Sequence, residues 1–451
     1  MNSQTLVREA YEIVRRLRDN GYAGYLVGGY VRDTLLNREV KDVDIATSAL
    51  PEQVMAIFPH TVPTGIKHGT VTVVMLHHAY EVTTFRKESG YRDRRRPNRV
   101  EFIAELREDL ERRDFTINAM AMDAEGKLID PFGGQADLRD GILRCVGDAE
   151  RRFDEDALRM MRCIRFAGEY ELQVERQTWE ALMANRGKLK HIAMERIRGE
   201  LERMLEGSHP YQALLLLSQS GLLSYTKAET GLQFTTGQVV QREQVLSVIA
   251  KLDDAWNKWA LLLLTLKISP SSASQALRRL TFSRKNQDGI CRIASFHEWL
   301  SGELELLNPR MEAALSGGKA ADSMNRELAT VWKKGALLHT PDIVRRWLSI
   351  YALLTAEALA ADTVKPEISM LIERLVQNGQ AWLDEIQAAT LKDLAIGGSD
   401  LLALGAKPGP WVGRLLAQLQ AEVVLGSLNN DRDELLRRSQ QWIEEMIRYD
   451  E

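Results

Sequence analysis

A chain of 451 residues is too long for one hydrophobic core, because single cores stop growing at about 250 to 300 residues, and it predicts several domains. The formal net charge of −4 excludes a globally basic nucleic-acid-binding protein, so a site for a polyanion must concentrate its Lys and Arg locally. Three widely spaced cysteines, Cys145, Cys163 and Cys291, fit neither a disulfide framework nor a zinc site and indicate a reducing cytoplasm. The apolar run at 260–266 is too short to cross a bilayer, so no membrane partner is expected.

The first part of the chain has the pattern of a mixed α and β domain. An amphipathic pattern predicts a helix over residues 3–19, and apolar, β-branched runs predict short strands at 25–27, 43–47, 70–76 and 81–85. From about residue 151 onward the apolar pattern is almost entirely helical. The sequence therefore predicts an α+β domain followed by an all-α extension.

Two aspartates, Asp42 and Asp44, follow a glycine turn within residues 25–50. Side chains alternate along a strand, so both carboxylates are expected to project from the same face, a few ångströms apart. Two carboxylates at that distance repel each other unless a cation lies between them. Mg²⁺ prefers carboxylate oxygens together with substrate phosphates. The pair therefore predicts a Mg²⁺ site in a protein that acts on a nucleotide.

The glycine turn itself suits a phosphate group. Gly28 and Gly29 have no side chains, so backbone N–H groups could approach a phosphate at the start of the helix that follows. Arg32, one turn into that helix, would add a fixed positive charge. A lone Gly-Gly or a lone Asp-x-Asp is usually an ordinary turn, but the two together, in this order and spacing, favour a nucleotide site.

The order of these motifs is similar to a known signature. Gly-Gly-x-x-Arg-Asp followed by Asp-x-Asp resembles the polymerase-β-like nucleotidyltransferases. Further segments resemble, in this order, the bacterial class II tRNA nucleotidyltransferases, the CCA-adding enzymes: "TGIKHGTVTVV" (64–74), "TTFRKESGYRDRRRPNRVEF" (83–102), "ERRDFTINAMA" (111–121), "FDEDALRMMRCIRF" (153–166) and "ERIRGEL" (195–201). Segments 405–416 and 429–436 also resemble that family, whereas the region from about 225 to 390 is placed only by its position.

This resemblance implies a division of the chain into four parts. Residues 1–150 would form an α+β nucleotidyltransferase head that carries the active site. An all-α neck at 151–207, with a base-reading helix, would be followed by a helical body at 208–315 and a helical tail at 316–451. The tail is expected to contact tRNA away from its acceptor end, through phosphates and shape.

The implied reaction is template-independent addition of C, C and A to the 3′ end of a tRNA that lacks all or part of its CCA. The substrates would be CTP and ATP, the by-product pyrophosphate and the cofactor Mg²⁺, with Asp42 and Asp44 as catalytic residues and metal ligands. A bacterial poly(A) polymerase and a CC-only or A-only tRNA nucleotidyltransferase are alternatives, as is a catalytically silent RNA-binding protein. Segment 64–74 favours CCA addition over poly(A) synthesis. The oligomeric state is open, with a homodimer as one alternative.

Base choice is expected to depend on residues of the neck. Asp156, Arg159, Arg162 and Arg165 recur every three residues, which on a helix predicts a slowly drifting stripe. Asp accepts and Arg donates hydrogen bonds, so such a pair fits the edges of C and A and mismatches U and G. Alone, the stripe is more often a solvated surface. The resemblance implies that Asp156 and Arg159 read the base, and that Arg162 and Arg165 lie near the base and triphosphate.

Three further features complete the predicted site. By resemblance, Arg113 and Asp114 contact the sugar and the incoming nucleotide. Between Arg86 and Arg99, seven basic residues stand against two acids, and the family has a flexible loop here that helps the site switch from C to A. Glu81 is a candidate third carboxylate that would help deprotonate the 3′-hydroxyl, and an ordinary exposed glutamate is an equal alternative.

Overall fold

The fold is that of a computed structural model covering residues 3–76, 78–92, 96–232, 234–314, 318–360, 364, 366–404 and 408–449. Contacts within the chain divide it into two compact units. The first comprises Met1–Thr236 with Arg279–Thr281, and the second comprises Gly237–Arg278 with Phe282–Glu451. The mixed α and β region predicted from the sequence lies in the first unit. The finer division at residues 150, 207 and 315 stays a prediction.

The strands form one large sheet and two small ones. They are β1 (Gly24–Val27), β2 (Asp44–Thr47), β3 (Thr61–Gly65), β4 (Thr70–Met75), β5 (His78–Thr84), β6 (Arg86–Arg92), β7 (Arg96–Phe102), β8 (Ala121–Met122), β9 (Leu128–Ile129), β10 (Ile142–Leu143) and β11 (Gln173–Val174). The large sheet has the order β3-β4-β5-β2-β1-β8-β9, and β6-β7 and β10-β11 pair separately. In the large sheet β2 and β5 are parallel and the other neighbours antiparallel. This mixed sheet confirms the α+β prediction.

Helices make up most of the remaining structure. They are α1 (Ser3–Asp19), α2 (Gly29–Leu35), α3 (Pro51–Ile57), α4 (Leu106–Glu111), α5 (Gly134–Arg139), α6 (Ala149–Glu155), α7 (Leu158–Glu169), α8 (Arg176–Asn185), α9 (Met194–Glu206), α10 (Pro210–Ser220), α11 (Thr236–Val240), α12 (Glu243–Val248), α13 (Ala255–Thr265), α14 (Pro270–Arg279), α15 (Arg284–Ala314), α16 (Gly318–His339), α17 (Pro341–Ala356), α18 (Pro366–Asp384), α19 (Gly398–Leu402), α20 (Trp411–Leu425) and α21 (Arg432–Tyr449). In the described part of the chain, none of them combines the length and the apolar character that crossing a bilayer requires.

The sequence located the first helix and the strand that leads to the aspartates. Helix α1 has the predicted bounds, and β2 falls within the predicted 43–47 strand. The prediction that both aspartates lie on that strand is wrong, because β2 begins at Asp44 and Asp42 precedes it. The physical reason is the partner strand. Asp44 pairs with Val27, the last residue of β1, and the chain then turns at Gly28.

The basic segment at 86–99 is not a loop along its whole length. Strands β6 and β7 form an antiparallel pair from Arg86↔Phe102 to Arg92↔Arg96, and residues 93–95 lie outside the described residues. Gly90 and Pro97 predict the absence of a helix correctly. Pro97 is nevertheless compatible with strand pairing, because both strands of this two-stranded sheet are edge strands, where proline is tolerated.

The second unit has an aromatic core around His297. The rings of Trp347 and Tyr351 stack on each other at 4.1 Å, and His297 stacks on Tyr351 at 5.6 Å. Nδ1 of His297 accepts a hydrogen bond from Nε1 of Trp347 at 3.3 Å, so the hydroxyl of Tyr351, 3.2 Å away, must be a donor as well. Both contacts require a neutral Nδ1, and burial lowers the pKa of His297 to about 4.

We expect the free energy of unfolding to fall as the pH is lowered from 7 to 4, in part through this histidine. The folded protein holds the proton of His297 more weakly than the unfolded chain does, so protons added between pH 6.5 and 4 favour unfolding. The expected loss is roughly 2 to 3 kcal/mol. Urea titrations followed by tryptophan fluorescence should show a shallower pH dependence in His297→Asn, which keeps an acceptor but does not titrate. Equal slopes in the two proteins would contradict this assignment.

Candidate active site

The turn after β1 explains the first of the two adjacent glycines. Gly28 has φ 65° and ψ −125°, a conformation that residues with a side chain rarely adopt. A Cβ atom at this position would lie 2.9 Å from Nη1 of Arg113 and 3.9 Å from Oδ2 of Asp44. The absence of a side chain therefore makes room for the guanidinium of Arg113 directly beside the aspartate.

A cavity of about 840 Å³ opens next to this turn. Its walls come from α2, β2, the chain before β2, the segment after α4, and helices α7 and α9. The lining residues are Gly28, Gly29, Arg32, Asp42, Asp44, Arg112, Arg113, Asp114, Asn118, Asp156, Leu158, Arg159, Arg162, Phe166, Glu195, Arg196, Gly199, Glu200 and Arg203. Of the site residues predicted from the sequence, Arg165, Glu81 and the segment 86–99 are missing from this set.

The two aspartates meet at one side of the cavity. Asp44 is accessible from the cavity, yet the surrounding protein removes part of its water. That desolvation and the charge of Asp42 raise the pKa of Asp44 to about 6, while Arg113 opposes the shift. Glu81 also raises it, since the parallel pairing of Ile45 with Val82 brings β5 alongside β2. Negative charge is therefore concentrated where a cation would relieve the repulsion.

The donor set fits a divalent cation that arrives with its own oxygen ligands. Within the described ranges, no group of three or more His, Cys, Asp or Glu side chains could hold a metal ion. Asp42 and Asp44 supply two carboxylates that line one cavity. Mg²⁺ is commonly bound by one or two carboxylates, with waters and substrate phosphates completing its octahedron.

Asp114 organises the cationic side of the cavity. It is 7% exposed, and its Oδ2 accepts a hydrogen bond from Nε of Arg162 at 2.7 Å. Its Oδ1 accepts one from Nδ2 of Asn118 at 3.1 Å. Burial alone would raise the pKa of Asp114, but Arg162, Asn118 and Arg159 hold it well below its usual range. Asp114 is thus a permanent anion that orients Arg162.

Arg113 retains an unused hydrogen-bond donor. Its Nη1 donates to the carbonyl oxygen of Asn118 at 3.3 Å, and its Nη2 lies 3.6 Å from Oδ2 of Asp109. Its Nε is buried and has no partner among the described residues. Burial lowers the pKa of Arg113 below its ordinary value. A guanidinium that lines the cavity beside Asp44 is suited to a ligand rich in acceptor oxygens.

The predicted single helix from Asp156 to Arg165 is wrong in one respect. Helix α6 ends at Glu155, Asp156 is extended with φ −140°, and α7 begins at Leu158. Asp156 therefore lies at the break between two helices, where its Oδ1 accepts from the backbone N–H of Leu158 at 3.0 Å. The break brings Asp156 to the cavity wall, and Arg196 of α9 donates to both of its carboxylate oxygens, at 3.2 and 2.8 Å.

Arg159 lines the cavity but is held by groups of the protein. It is 8% exposed. Its Nη1 donates to the carbonyl oxygen of Arg152 at 3.0 Å and to Oε2 of Glu155 at 2.7 Å. Its Nη2 donates to the carbonyl oxygen of Arg112 at 2.9 Å. Arg159 therefore joins α6, α7 and the segment after α4, so its position is closely defined.

Arg165 does not line the main cavity, although its partner Glu200 does. Its Nε donates to Oε2 of Glu200 at 2.7 Å, and it lines an adjoining cavity of about 460 Å³ that shares Asp42 and Arg203 with the main one. Arg32, in contrast, lines the main cavity and donates to Oδ1 of Asn118 at 2.6 Å. The expected place of Arg165 near the triphosphate stays a prediction.

Helix α9 contributes a wall to which sequence reasoning assigned no residue. Glu195, Gly199 and Arg203, each four residues apart, line the cavity, and so do Arg196 and Glu200. A spacing of four residues places side chains on one helix face, so the charged residues at 195, 196, 200 and 203 carried a usable signal. The spacing indicates which face of α9 carries the charges, but it does not give the partner of each charge. No such spacing in the sequence marks Asn118 or Phe166 as lining residues.

Replacing Gly28 by alanine should lower kcat/KM for the nucleotide addition that the resemblance implies about 10- to 100-fold, because Arg113 must move away from the new Cβ atom and the backbone is strained. Gly21 is a matched control, since it also has positive φ (85°) but has nothing within 4 Å of an added Cβ atom. Gly21→Ala should lose about 1 kcal/mol of stability and keep its activity. Steady-state kinetics and thermal denaturation of both variants test this, and equal activities would argue against the close approach.

Comparisons with known proteins find similarity over 95% to 98% of the chain. A family model described as "Poly A polymerase head domain" matches residues 24–144, and one for tRNA nucleotidyltransferase domain 2 matches residues 345–438. The CCA-adding enzyme of Geobacillus sp. (strain WCH70) is 37% identical over 438 residues, 95% of each chain. That of Ligilactobacillus salivarius (strain UCC118) is 35% identical over 441 residues, 98% of each chain.

Two solved structures are also similar. The Bacillus stearothermophilus CCA-adding enzyme in complex with CTP is 33% identical, with a TM-score of 0.75 and 98% of both chains covered. The Thermotoga maritima CCA-adding enzyme complexed with tRNA_CCA is 20% identical, with a TM-score of 0.56 over 97% of this chain and 96% of that one. The second likeness concerns the fold alone.

Proposed function

The chain belongs to the family of CCA-adding enzymes, and we propose on this basis that it adds C, C and A to the 3′ end of tRNA that lacks all or part of this sequence. The observation that carries the proposal is the cavity in the first unit. It brings the carboxylates of Asp42 and Asp44 together with Arg113, Asp156 and a set of further cations around about 840 Å³, enough for a nucleoside triphosphate.

The reaction is an in-line displacement at the α-phosphorus of CTP or ATP. The 3′-hydroxyl oxygen of the tRNA forms the new bond to phosphorus, and the bond from phosphorus to the bridging oxygen breaks, releasing pyrophosphate. Arg113 and Arg162 face the negative charge of the triphosphate. Glu81, beside Asp44, is our candidate to receive the hydroxyl proton.

Enzymes of this superfamily use divalent metals, and we assign Asp42 and Asp44 as the ligands of Mg²⁺. Their two carboxylates fit the small number of protein ligands that Mg²⁺ takes when a nucleotide supplies the rest. When bound, Mg²⁺ neutralises triphosphate charge and lowers the pKa of the attacking hydroxyl. Burial, and after it the charge of Asp42, raise the pKa of Asp44, so a cation between the two carboxylates would relieve their repulsion.

Base choice is assigned to Asp156 with Arg159. The amino group of C or A donates to Asp156, and Arg159 donates to the neighbouring ring nitrogen. Uracil and guanine present a carbonyl and an N–H instead, which leaves polar groups opposed. Arg196 supports this reading, because its two hydrogen bonds fix the carboxylate of Asp156.

The direct test offers the purified protein a tRNA that ends before CCA, with CTP alone, ATP alone, or both, and sizes the products. Addition of two nucleotides with CTP and three with both supports the proposal. Products that stop after CC, or that gain only A on a CC-ending tRNA, indicate a partial enzyme. A long A tract indicates a poly(A) polymerase, and no product indicates a silent RNA-binding protein. A cytoplasmic location remains a prediction, and so does a homodimer as one alternative for the oligomeric state.

Shortening the β6-β7 hairpin should impair the final A more than the two C additions. The hairpin segment from Arg86 to Arg99 has a net charge of +5, and the family resemblance gives this position a part in the switch from C to A. Gel sizing of products over time should show a stall after CC. Equal loss of all three additions would instead make the hairpin a general structural or tRNA-binding element.

A further inference from the structure

Three guanidinium groups of the first unit converge on the ring of Phe166 in α7. The Cζ atom of Arg165 lies 4.0 Å from the ring centroid, that of Arg162 lies 5.1 Å away and that of Arg32 lies 5.3 Å away. All three distances are within the range of cation–π attraction. Phe166 also lines the main cavity with Arg32 and Arg162. Neither the sequence motifs nor the proposed reaction accounts for this ring.

Three cations so close together repel one another, and two kinds of interaction with the surrounding protein offset this repulsion. Each arginine has one carboxylate partner: Arg32 contacts Asp33, Arg162 contacts Asp114 and Arg165 contacts Glu200. The second contribution is the ring, whose negative face attracts cations but carries no net charge. Additional carboxylates would also hold the arginines, but they would repel a triphosphate. An aromatic ring holds the cations and leaves their charge available to an anion.

The ring itself is fixed in place. Phe166 is 5% exposed, and Phe115 meets it edge-on with centroids 5.8 Å apart. Tyr170, which directly follows the last residue of α7, stacks on it at 6.1 Å, and Arg32 lies 4.4 Å from the centroid of Tyr170 as well. The arginines are therefore held against a rigid aromatic column.

We propose that Phe166 is a positioning residue for the triphosphate of the nucleotide, acting through Arg32, Arg162 and Arg165. The assignment rests on the proposed function, because it takes a nucleoside triphosphate as the ligand of the cavity. Phe166 does not touch the reacting atoms. Its ring sets the place of three cations, two of which face the ligand directly, while Arg165 acts at the back of the ring.

The test replaces Phe166 with phenylalanines that carry one, two, three and five fluorine atoms, introduced by stop-codon suppression in the full chain. Fluorine withdraws electron density from the ring face and weakens its attraction for cations with little change in size. We expect kcat/KM for CTP to fall stepwise, about 10-fold at five fluorines. Affinity for inorganic tripolyphosphate, measured by calorimetry, should fall in parallel, and the melting temperature should stay nearly constant.

Phe153 of α6 is the matched control. It is fully buried, and in the described ranges no guanidinium lies over its ring. Fluorination of Phe153 should therefore leave kcat/KM for CTP and the affinity for tripolyphosphate unchanged. Phe166→Leu, which keeps an apolar side chain but has no ring, should lose at least as much tripolyphosphate affinity as the pentafluoro variant. A flat Phe166 series would overturn the proposal and leave the ring a packing residue.

The two readouts separate this inference from the proposed function. If the parent enzyme incorporates CTP normally, and neither kcat/KM nor tripolyphosphate affinity changes in the fluorinated Phe166 variants, the role of Phe166 is overturned. The proposed function is then unaffected. A graded loss of tripolyphosphate affinity in a protein that incorporates no nucleotide supports the role of the ring and overturns the proposed function. A graded loss in both measurements supports both.

Discussion

Replacing Asp44 by asparagine is expected to abolish nucleotide addition, with kcat/KM reduced about 10³-fold or more, or roughly 4 kcal/mol of transition-state stabilisation. Asparagine is nearly the same size as aspartate but carries no charge. The substitution therefore removes one of the two negative charges that we assign as ligands of the cation. Asp42→Asn should have a similar effect. The measurement is the rate of CTP incorporation into tRNA at saturating Mg²⁺. Near-normal turnover by either variant would contradict the assignment of both aspartates as Mg²⁺ ligands.

The same substitution should not destabilise the protein. The pKa of Asp44 is raised to about 6, so at neutral pH its ionised form opposes folding when no cation is present. The amide of the variant has no charge to desolvate, and in buffer with a chelator the melting temperature of Asp44→Asn should equal or slightly exceed that of the parent. Asp140→Asn, at an exposed position paired with Arg139, is the control and should change neither activity nor melting temperature appreciably. A large fall in melting temperature for Asp44→Asn would mean that the carboxylate supports the fold.

Asp156→Asn is expected to narrow the preference for CTP over UTP. The carboxylate can only accept hydrogen bonds, whereas the amide can also donate to the carbonyl of uracil. A good bidentate base contact is worth roughly 1 to 3 kcal/mol against a wrong base, so the CTP to UTP ratio of kcat/KM should fall about 10- to 100-fold. The same tRNA and both nucleotides are used for each protein.

Two controls make this test specific. Asp154→Asn changes a carboxylate two residues away that pairs with Lys188 at an exposed position, and it should leave the ratio unchanged. Arg113→Ala should lower kcat/KM for both nucleotides without narrowing the ratio, because we assign it to the sugar and phosphates. We avoid Arg159→Ala as the primary test, since Arg159 also joins α6 to Arg112. An unchanged ratio in Asp156→Asn would mean that bases are chosen elsewhere.

Local patterns in the sequence were sufficient for several parts of this structure. The period of apolar residues located α1, and the aspartates and the glycine turn were predicted to belong to one site and line one cavity. Such features can be predicted because they depend on residues close together in the chain: helical periodicity, strand alternation and the freedom of glycine at positive φ. The order of the motifs identified the family, which the comparisons then confirmed.

Other features depended on partners that are distant in the sequence. The functional role of the stripe from Asp156 to Arg165 stays a prediction, and its members line two different cavities. Arg196 fixes Asp156 at a break between helices, whereas Arg165 pairs with Glu200 and lines an adjoining cavity. Periodicity gives the angle of a side chain on an ideal helix, and it contains no information about where the helix stops or which charge lies opposite.

By itself the sequence determined the α+β class of the first unit, the identity of the family, and the residue types that meet at the site: two aspartates, several arginines and a flexible turn. These follow from short-range sterics and from the chemistry of each side chain. The tertiary structure alone decided that Arg113 occupies the space over Gly28, that Asp42 precedes its strand, and that three arginines share the ring of Phe166. Those arrangements are set by packing between segments far apart in the chain, because the position of a charge is fixed only when folding brings its counter-charge or its aromatic neighbour within a few ångströms.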